Sequence, residues 1–375
     1  MSRAPAAPAA ERRGPALADA ELLELHRRIV AIPSLSGAEG ALADELAALF
    51  AKHGVACERL GNSLLATVGE GPLLLLDSHL DTVPAGPGWT LPPHEATRRD
   101  GRVIGLGSND AKASVAALLA AFLDIAAARL PFAVALALVE GEETSGRGTA
   151  AVLAELERRG TPPVAAVIGE PTGLDLAVAQ KGLLVLELRA RGEACHAAHA
   201  GTLGGRRAVR ELVRDLAALE GIDLGPEHPV LGRATLEPTV LRAGEVHNAV
   251  PGEALAVLDG RTTPSLPAAE IVARVRARVG GELRVRSDRF RPCATPVEAA
   301  LVKAAQRVRP GARIFGSATL SDMAQLADIP AIKVGPGRSE RSHTADEWVA
   351  EEEILDGARF YRGLIAELAA AGSLT

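Results

Sequence analysis

Residues 73–76 are four consecutive leucines, and the run closes not on a turn but on Asp77, Ser78, His79, Leu80 and Asp81. A strand covered on both faces reads as a continuous apolar run. Polar groups crowded at its C-terminal end need a reason, and in open α/β sheets that end is where ligands bind.

The same rhythm recurs along the chain. "LLATV" (64–68), "FAVALALV" (132–139) and "VAAVIGE" (164–170) are short apolar runs, while 19–32, 40–54 and 112–130 are helical in pattern, the second closing on a C-cap Gly54. Short buried strands alternating with helices predict an α/β fold around a mostly parallel sheet. After "VAQKG" (178–182) the rhythm changes. A half-buried strand at 183–192 leads to a helix at 204–221, strands at 233–244 and 253–263, a helix at 267–280 and a strand at 282–288. That βαββαβ order predicts an inserted ferredoxin-like α/β sandwich. The expected organisation is a disordered Pro/Ala/Arg arm over 1–17, a larger α/β domain over 18–182, the insertion over 183–291, and a return to the larger domain over 292–375, with 331–337 as one more central strand.

At 375 residues the chain has room for two domains, and with 47% hydrophobic but only 2% aromatic residues its core is aliphatic. A net charge of −6 with dispersed arginines argues against nucleic acid as a partner. No stretch approaches the roughly 18 uninterrupted apolar residues of a membrane span, and Arg and Glu stand where a signal peptide needs an apolar segment. The expectation is a soluble cytoplasmic protein. Cys57, Cys195 and Cys293 are odd in number and lack CxxC spacing, which argues against a disulfide framework and a thiolate zinc site. Any metal must be held by His and carboxylates.

Five segments carry such groups at or just after apolar runs: His79 and Asp81, Asp110, Glu142 and Glu143, Glu170, and His343 after the turn "GPGR". Taken singly each has an ordinary explanation. Asp110 fits the N-cap of the helix after it, the Glu142–Glu143 pair fits a solvated loop, and "SHTADE" fits an N-cap followed by helix-favouring acids. Taken together, parallel strands present these groups on one edge. Converging carboxylates raise one another's pKa and are costly to desolvate, so a cluster of this kind calls for a cation. Two His with several carboxylates suit Zn²⁺, Co²⁺ or Mn²⁺.

The order HxD, GxxxxD, EGEE, GEPT and a late His after a glycine-rich turn resembles the dinuclear zinc amidohydrolases, which include acetylornithine deacetylase, succinyl-diaminopimelate desuccinylase, N-acetyl-lysine deacetylase and the glutamate carboxypeptidases. The resemblance runs from about residue 20 onward and includes the insertion; it implies a zinc-peptidase-like catalytic domain over 18–182 and 292–375, with the insertion at 183–291 as lid and dimerisation domain. It implies two Zn²⁺ (or Co²⁺ or Mn²⁺), one held by His79, Asp110 and Glu170, the other by Asp110, Glu143 and His343, with Asp110 as the bridge. It also implies Glu142 as general base and Asp81 as the carboxylate that orients His79. In the insertion, "RGEACHAAHAG", "GEVHNAVPGEA" and "LDGRTTP" match family elements through His196, Asn248 and Arg261. In relatives such a His and Asn stabilise the oxyanion, in several cases from the partner subunit, and the Arg binds the substrate carboxylate. The chain departs from the family in reading "DAKAS" where many relatives have DxKGG, and in Cys195 where a small residue is usual.

"GSNDA", "AVAQKGLLVLEL", "HAAHAG" and "GPGRSERSHTADEW" are most similar to the acetylornithine deacetylase-like branch. The resemblance therefore implies a cytoplasmic homodimer, paired through the insertion, that releases acetate from N-acetyl-L-ornithine in arginine biosynthesis. N-acetylcitrulline, N-succinylornithine, N-acetyl-lysine, succinyl-diaminopimelate and the peptides of a metallo-exopeptidase remain open as substrates.

Overall fold

A computed structural model describes residues 16–374. The chain divides into two compact units. The first comprises the residues through Pro162 with Gly169–Leu174 and Gly335–Ser373, and the second comprises Pro163–Ile168 and Asp175–Val334 with Leu374. Most of the arm expected over 1–17 lies outside the described residues. Of its last two, Leu17 is buried and the Ala16 N–H donates to Asp124.

In the first unit the Leu73–His79 strand is buried along its whole length, as its leucines require. It runs parallel to Ala133–Val139, in register from Leu73↔Ala133 to His79↔Val139, and that strand too is buried throughout. Ser63–Val68 lies on the far side of Ala133–Val139 but runs antiparallel to it, whereas its apolar pattern alone suggested a parallel strand. The cause is the connection between Val68 and Leu73. A parallel return needs a dozen or more residues, and the link holds only Gly69, Glu70, Gly71 and Pro72. The chain reverses there, with Gly69 and Gly71 at φ 80° and 100°.

The Lys112–Ile125 helix is buried on every side over residues 112–123. It packs against Asp19–Ala31 and against Glu351–Ala371, and Phe122 meets Phe50 edge to face at 6.2 Å. Gly169 makes a tight passage beside it. A Cβ there would stand 2.7 Å from Leu118 Cδ1 and 2.9 Å from Ser114 Cβ, so any larger residue would push Glu170 off its course. Glu351–Ala371 and Arg147–Arg158 are helices beyond those expected from the sequence.

In the second unit Pro163–Ile168 runs parallel to Ala331–Lys333, and Leu176–Gln180 runs parallel to Ile314–Ser317 and antiparallel to Cys293–Ala294. A separate four-stranded antiparallel sheet follows the order Thr235–Ala243, Glu253–Thr262, Gly182–Arg191, Glu282–Phe290. The alternation in Gly182–Arg191 turns Leu184, Leu186 and Leu188 inward, where they pack with Leu212, Ile271 and Val275. With the Ala208–Ala218 and Ala268–Arg276 helices this makes the βαββαβ sandwich. The fold is mixed α/β. Among the described residues no helix is long and apolar enough to cross a membrane.

His26, on the Asp19–Ala31 helix, is fully buried with Nε2 2.8 Å from the Ser108 carbonyl oxygen. Burial pushes its pKa down to about 4. Because the folded chain resists protonating this ring, stability is complete above the unfolded value near 6.5 and is lost as pH falls from there toward 4. Denaturant unfolding at pH 7 and pH 5 should show a loss that is about 2 kcal/mol larger for the native chain than for His26→Gln. Equal losses in the two proteins would show that His26 does not set this dependence.

Candidate metal centre

The first unit brings together every acidic and histidine position expected there. Because Leu73–His79 and Ala133–Val139 are parallel and in register, the strand tip carrying His79 and the loop carrying Glu142 and Glu143 lie at one edge. Asp110 sits in the turn before Lys112–Ile125, Glu170 follows Gly169, and His343 stands at φ 59° in the loop before Trp348–Ala350.

Asp110 faces both histidines. Its Oδ1 lies 3.2 Å from His79 Nε2 and its Oδ2 lies 3.7 Å from His343 Nε2. His79 Nε2 also lies 3.9 Å from Glu170 Oε1, and His343 Nε2 lies 2.9 Å from Glu143 Oε1. One ligand atom each from His79, Asp110 and Glu143 falls within 4.8 Å of the other two, a group able to hold a metal ion.

The donor set itself calls for positive charge. His79 Nδ1 is 3.0 Å from the Asp81 backbone oxygen, so Nδ1 carries the proton and donates it there. The Nε2 lone pair of the neutral ring then points at carboxylate oxygens, acceptor against acceptors. Either a proton or a metal ion relieves this. Burial pushes the His79 pKa down, yet the hydrogen bonds to Asp110 and Asp81 and the charges of Glu170 and Glu142 carry it well above its usual value. His343 is pushed up to about 9, first by its hydrogen bond to Glu143. These residues fit a divalent cation that replaces the protons.

The Asp81 carboxylate is fully buried, and its hydrogen bonds go to the glutamate loop and to Ser36. Oδ1 accepts from the Glu142 N–H at 3.0 Å, and Oδ2 accepts from the Glu143 N–H at 3.1 Å and the Ser36 hydroxyl at 2.7 Å. Its Oδ1 lies 3.6 Å from His79 Nδ1. One carboxylate thus ties the His79 strand tip to the backbone of the glutamate loop.

Sequence reasoning missed the residues after His343. Asp346 accepts from Thr90 N and Leu91 N at 2.9 and 3.2 Å. Glu347, 1% exposed, accepts from Gly107 N at 3.1 Å and from Asn109 N and Asp110 N at 2.9 Å each. Burial and the neighbouring Asp110 charge push it up to about 7. The Trp348 ring is flanked by the guanidiniums of Arg102 and Arg341 at 3.9 and 3.6 Å. The acids in "TADE" passed for helix-starting residues; the burial of Glu347 and the bonds of Asp346 to Thr90 and Leu91 mark them out.

The three residues expected from the insertion belong to the second unit. Cys195–His196 pairs with Ala249–Val250, which sets His196 opposite Ala249. The Ala197 N–H donates to the Asn248 carbonyl at 2.9 Å, so His196 and Asn248 are neighbours, and both are exposed. His196 Nδ1 accepts from Ala198 N at 3.1 Å. Arg261 is half-buried and paired with Asp259, Nε to Oδ1 at 2.8 Å.

The chain belongs to peptidase family M20/M25/M40, whose sequence profile matches residues 75–367. It is 30% identical over 388 aligned residues to a probable carboxypeptidase of Aspergillus oryzae, covering 92% of this chain and 90% of that one. It is 33% identical over 300 residues to a probable carboxypeptidase of Neosartorya fischeri, covering 70% and 67%. Among solved structures the fold is similar to an M20 family metallo-carboxypeptidase from Sulfolobus solfataricus, with a TM-score of 0.75 at 18% identity over 92% of this chain and 98% of that one. It is also similar to a dinuclear metal-binding peptidase of the M20 family from Bacillus subtilis, with a TM-score of 0.70 at 15% identity over 94% and 98%.

Replacing Asp81 by asparagine puts an amide NH₂ where a backbone N–H now donates. Metal affinity, read by competition with a chelating dye, should fall about 10–100-fold in Asp81→Asn while the circular dichroism spectrum stays native. An unchanged affinity would remove the clamp from the account.

Proposed function

We propose that the protein is a metal-dependent hydrolase that cleaves the amide bond of a small N-acyl amino acid, with N-acetyl-L-ornithine as the first candidate and ornithine and acetate as products. The observation that carries this reading is Asp110 set between His79 and His343, with Glu143 and Glu170 alongside and Glu142 on the same loop. In the proposal His79, Asp110 and Glu170 hold one ion, Asp110, Glu143 and His343 hold the other, and zinc is the first metal to try. Two divalent cations bound there supply Lewis acidity and a water of lowered pKa.

The chain's own residues do the rest. The Asp81 clamp holds the Glu142 backbone, so the Glu142 carboxylate takes the proton of the attacking water and returns it to the leaving nitrogen. Asp81 keeps the proton on His79 Nδ1 and leaves Nε2 free to bind. His196 and Asn248, side by side on their ribbon, serve the oxyanion. Arg261 takes the substrate carboxylate, its guanidinium held in orientation by Asp259. The reading includes a cytoplasmic homodimer of arginine biosynthesis paired through 183–291, which agrees with the exposure of Val213, Leu241 and Val246.

A second reading is favoured by the relatives named probable carboxypeptidases. Release of a C-terminal residue uses the same group, an acyl–NH–CH(R)–COO⁻ unit, and differs only in what lies on the acyl side. Zinc- or cobalt-loaded protein should therefore be assayed for amine release from N-acetyl-L-ornithine, N-acetyl-L-citrulline, N-succinyl-L-ornithine, N-acetyl-L-lysine and a dipeptide panel. Preference for acetylornithine supports the first reading and preference for dipeptides the second. With whichever substrate turns over, Glu142→Gln should lower kcat about 10²–10⁴-fold and keep its metal. A Glu142→Gln enzyme of near-normal kcat would contradict the assigned base.

A further inference from the structure

We propose that Glu347 is a positioning residue of the metal centre, fixing from beneath the orientation in which Asp110 faces the two histidines. The inference rests on the reading of Asp110 as a shared ligand.

Each Glu347 carboxylate oxygen accepts from backbone. Oε1 takes Asn109 N and Asp110 N, both at 2.9 Å, and Oε2 takes Gly107 N at 3.1 Å. Its own carbonyl oxygen accepts from Gly105 N at 2.9 Å and Ser108 Oγ at 3.2 Å. A fully buried carboxylate is costly, and it sits here directly under a site already rich in negative charge. A neutral anchor would avoid that cost, but a carboxyl group presents an acceptor on each oxygen to these three N–H groups. Glutamine would face one of them with an NH₂. The bond to Asp110 N is the telling one, since it fixes the backbone from which the Asp110 side chain springs. Glu347 is also four residues beyond His343. It therefore ties the loop that carries one histidine to the turn that carries the carboxylate between them.

Asp346 provides the comparison. It anchors the same loop through hydrogen bonds to Thr90 and Leu91 rather than to the Asp110 turn. If Glu347 only stiffens the loop, losing Asp346 should mimic losing Glu347.

The experiment titrates Zn²⁺ and Co²⁺ into metal-free wild type, Glu347→Gln and Asp346→Ala. It reads dissociation constants by chelator competition, the visible absorption of the cobalt forms, and the melting temperature. Glu347→Gln is expected to bind metal about 10–100-fold more weakly with an altered cobalt spectrum, while Asp346→Ala melts lower yet keeps its affinity within about threefold. The proposal is overturned if folded Glu347→Gln binds within about threefold of wild type, or if Asp346→Ala loses affinity to the same extent. Should Glu347→Gln not fold, Glu347→Asp, which keeps the charge but shortens the reach, is judged by the same limits. A wild type that binds neither metal would overturn the metal-centre reading itself, and this inference with it.

Discussion

Two imidazole nitrogens and the oxygens of Asp110, Glu143 and Glu170 meet at one edge of the first unit, and they are held together only if something positive lies among them. With His79 Nδ1 donating to a backbone carbonyl, its other nitrogen is an acceptor turned toward acceptors. Protons meet the requirement, as the raised pKa values of His79 and His343 express. Divalent cations bound there would meet it as well. The constraint explains why so many costly polar groups are buried at the end of strands that are otherwise aliphatic.

The fold meets that constraint by two means. Parallel, in-register strands bring His79 and the Glu142–Glu143 loop to one level, and Gly169 lets the chain carrying Glu170 pass close to the Lys112–Ile125 helix. Two further carboxylates then act on the backbone. Asp81 gathers the amides of Glu142 and Glu143, and Glu347 those of Gly107, Asn109 and Asp110. Neither is needed to complete the group of His79, Asp110 and Glu143. Each fixes a turn from which proposed ligand side chains project, the kind of supporting interaction that sets metal affinity.

Much of this was legible in the sequence, for identifiable reasons. Four leucines ending in polar residues marked a central strand and the end where the acidic and histidine groups gather, and Gly54 follows its helix in the left-handed region as its position required. The alternation in 183–192 gave the inward leucines of the sandwich. What escaped depended on contacts that no local pattern encodes. The direction of Ser63–Val68 was set by the length of the link after it. Asp81 was expected to serve one histidine, but its bonds to the loop some 60 residues further on follow only from the pairing of two strands. Glu347 resembles any acid near a helix start until its burial is known. Arg261 was expected to meet a substrate carboxylate, and its pairing with Asp259, two residues away on the same face of its strand, was not foreseen.

The central claim is that Asp110 is shared between two metal ions. Counting bound metal by native mass spectrometry, in zinc-reconstituted wild type and in Asp110→Asn, tests it most directly. The account predicts two equivalents in the wild type and loss of affinity for both when Asp110 is replaced. A single equivalent in the wild type, or two that survive the replacement, would contradict it.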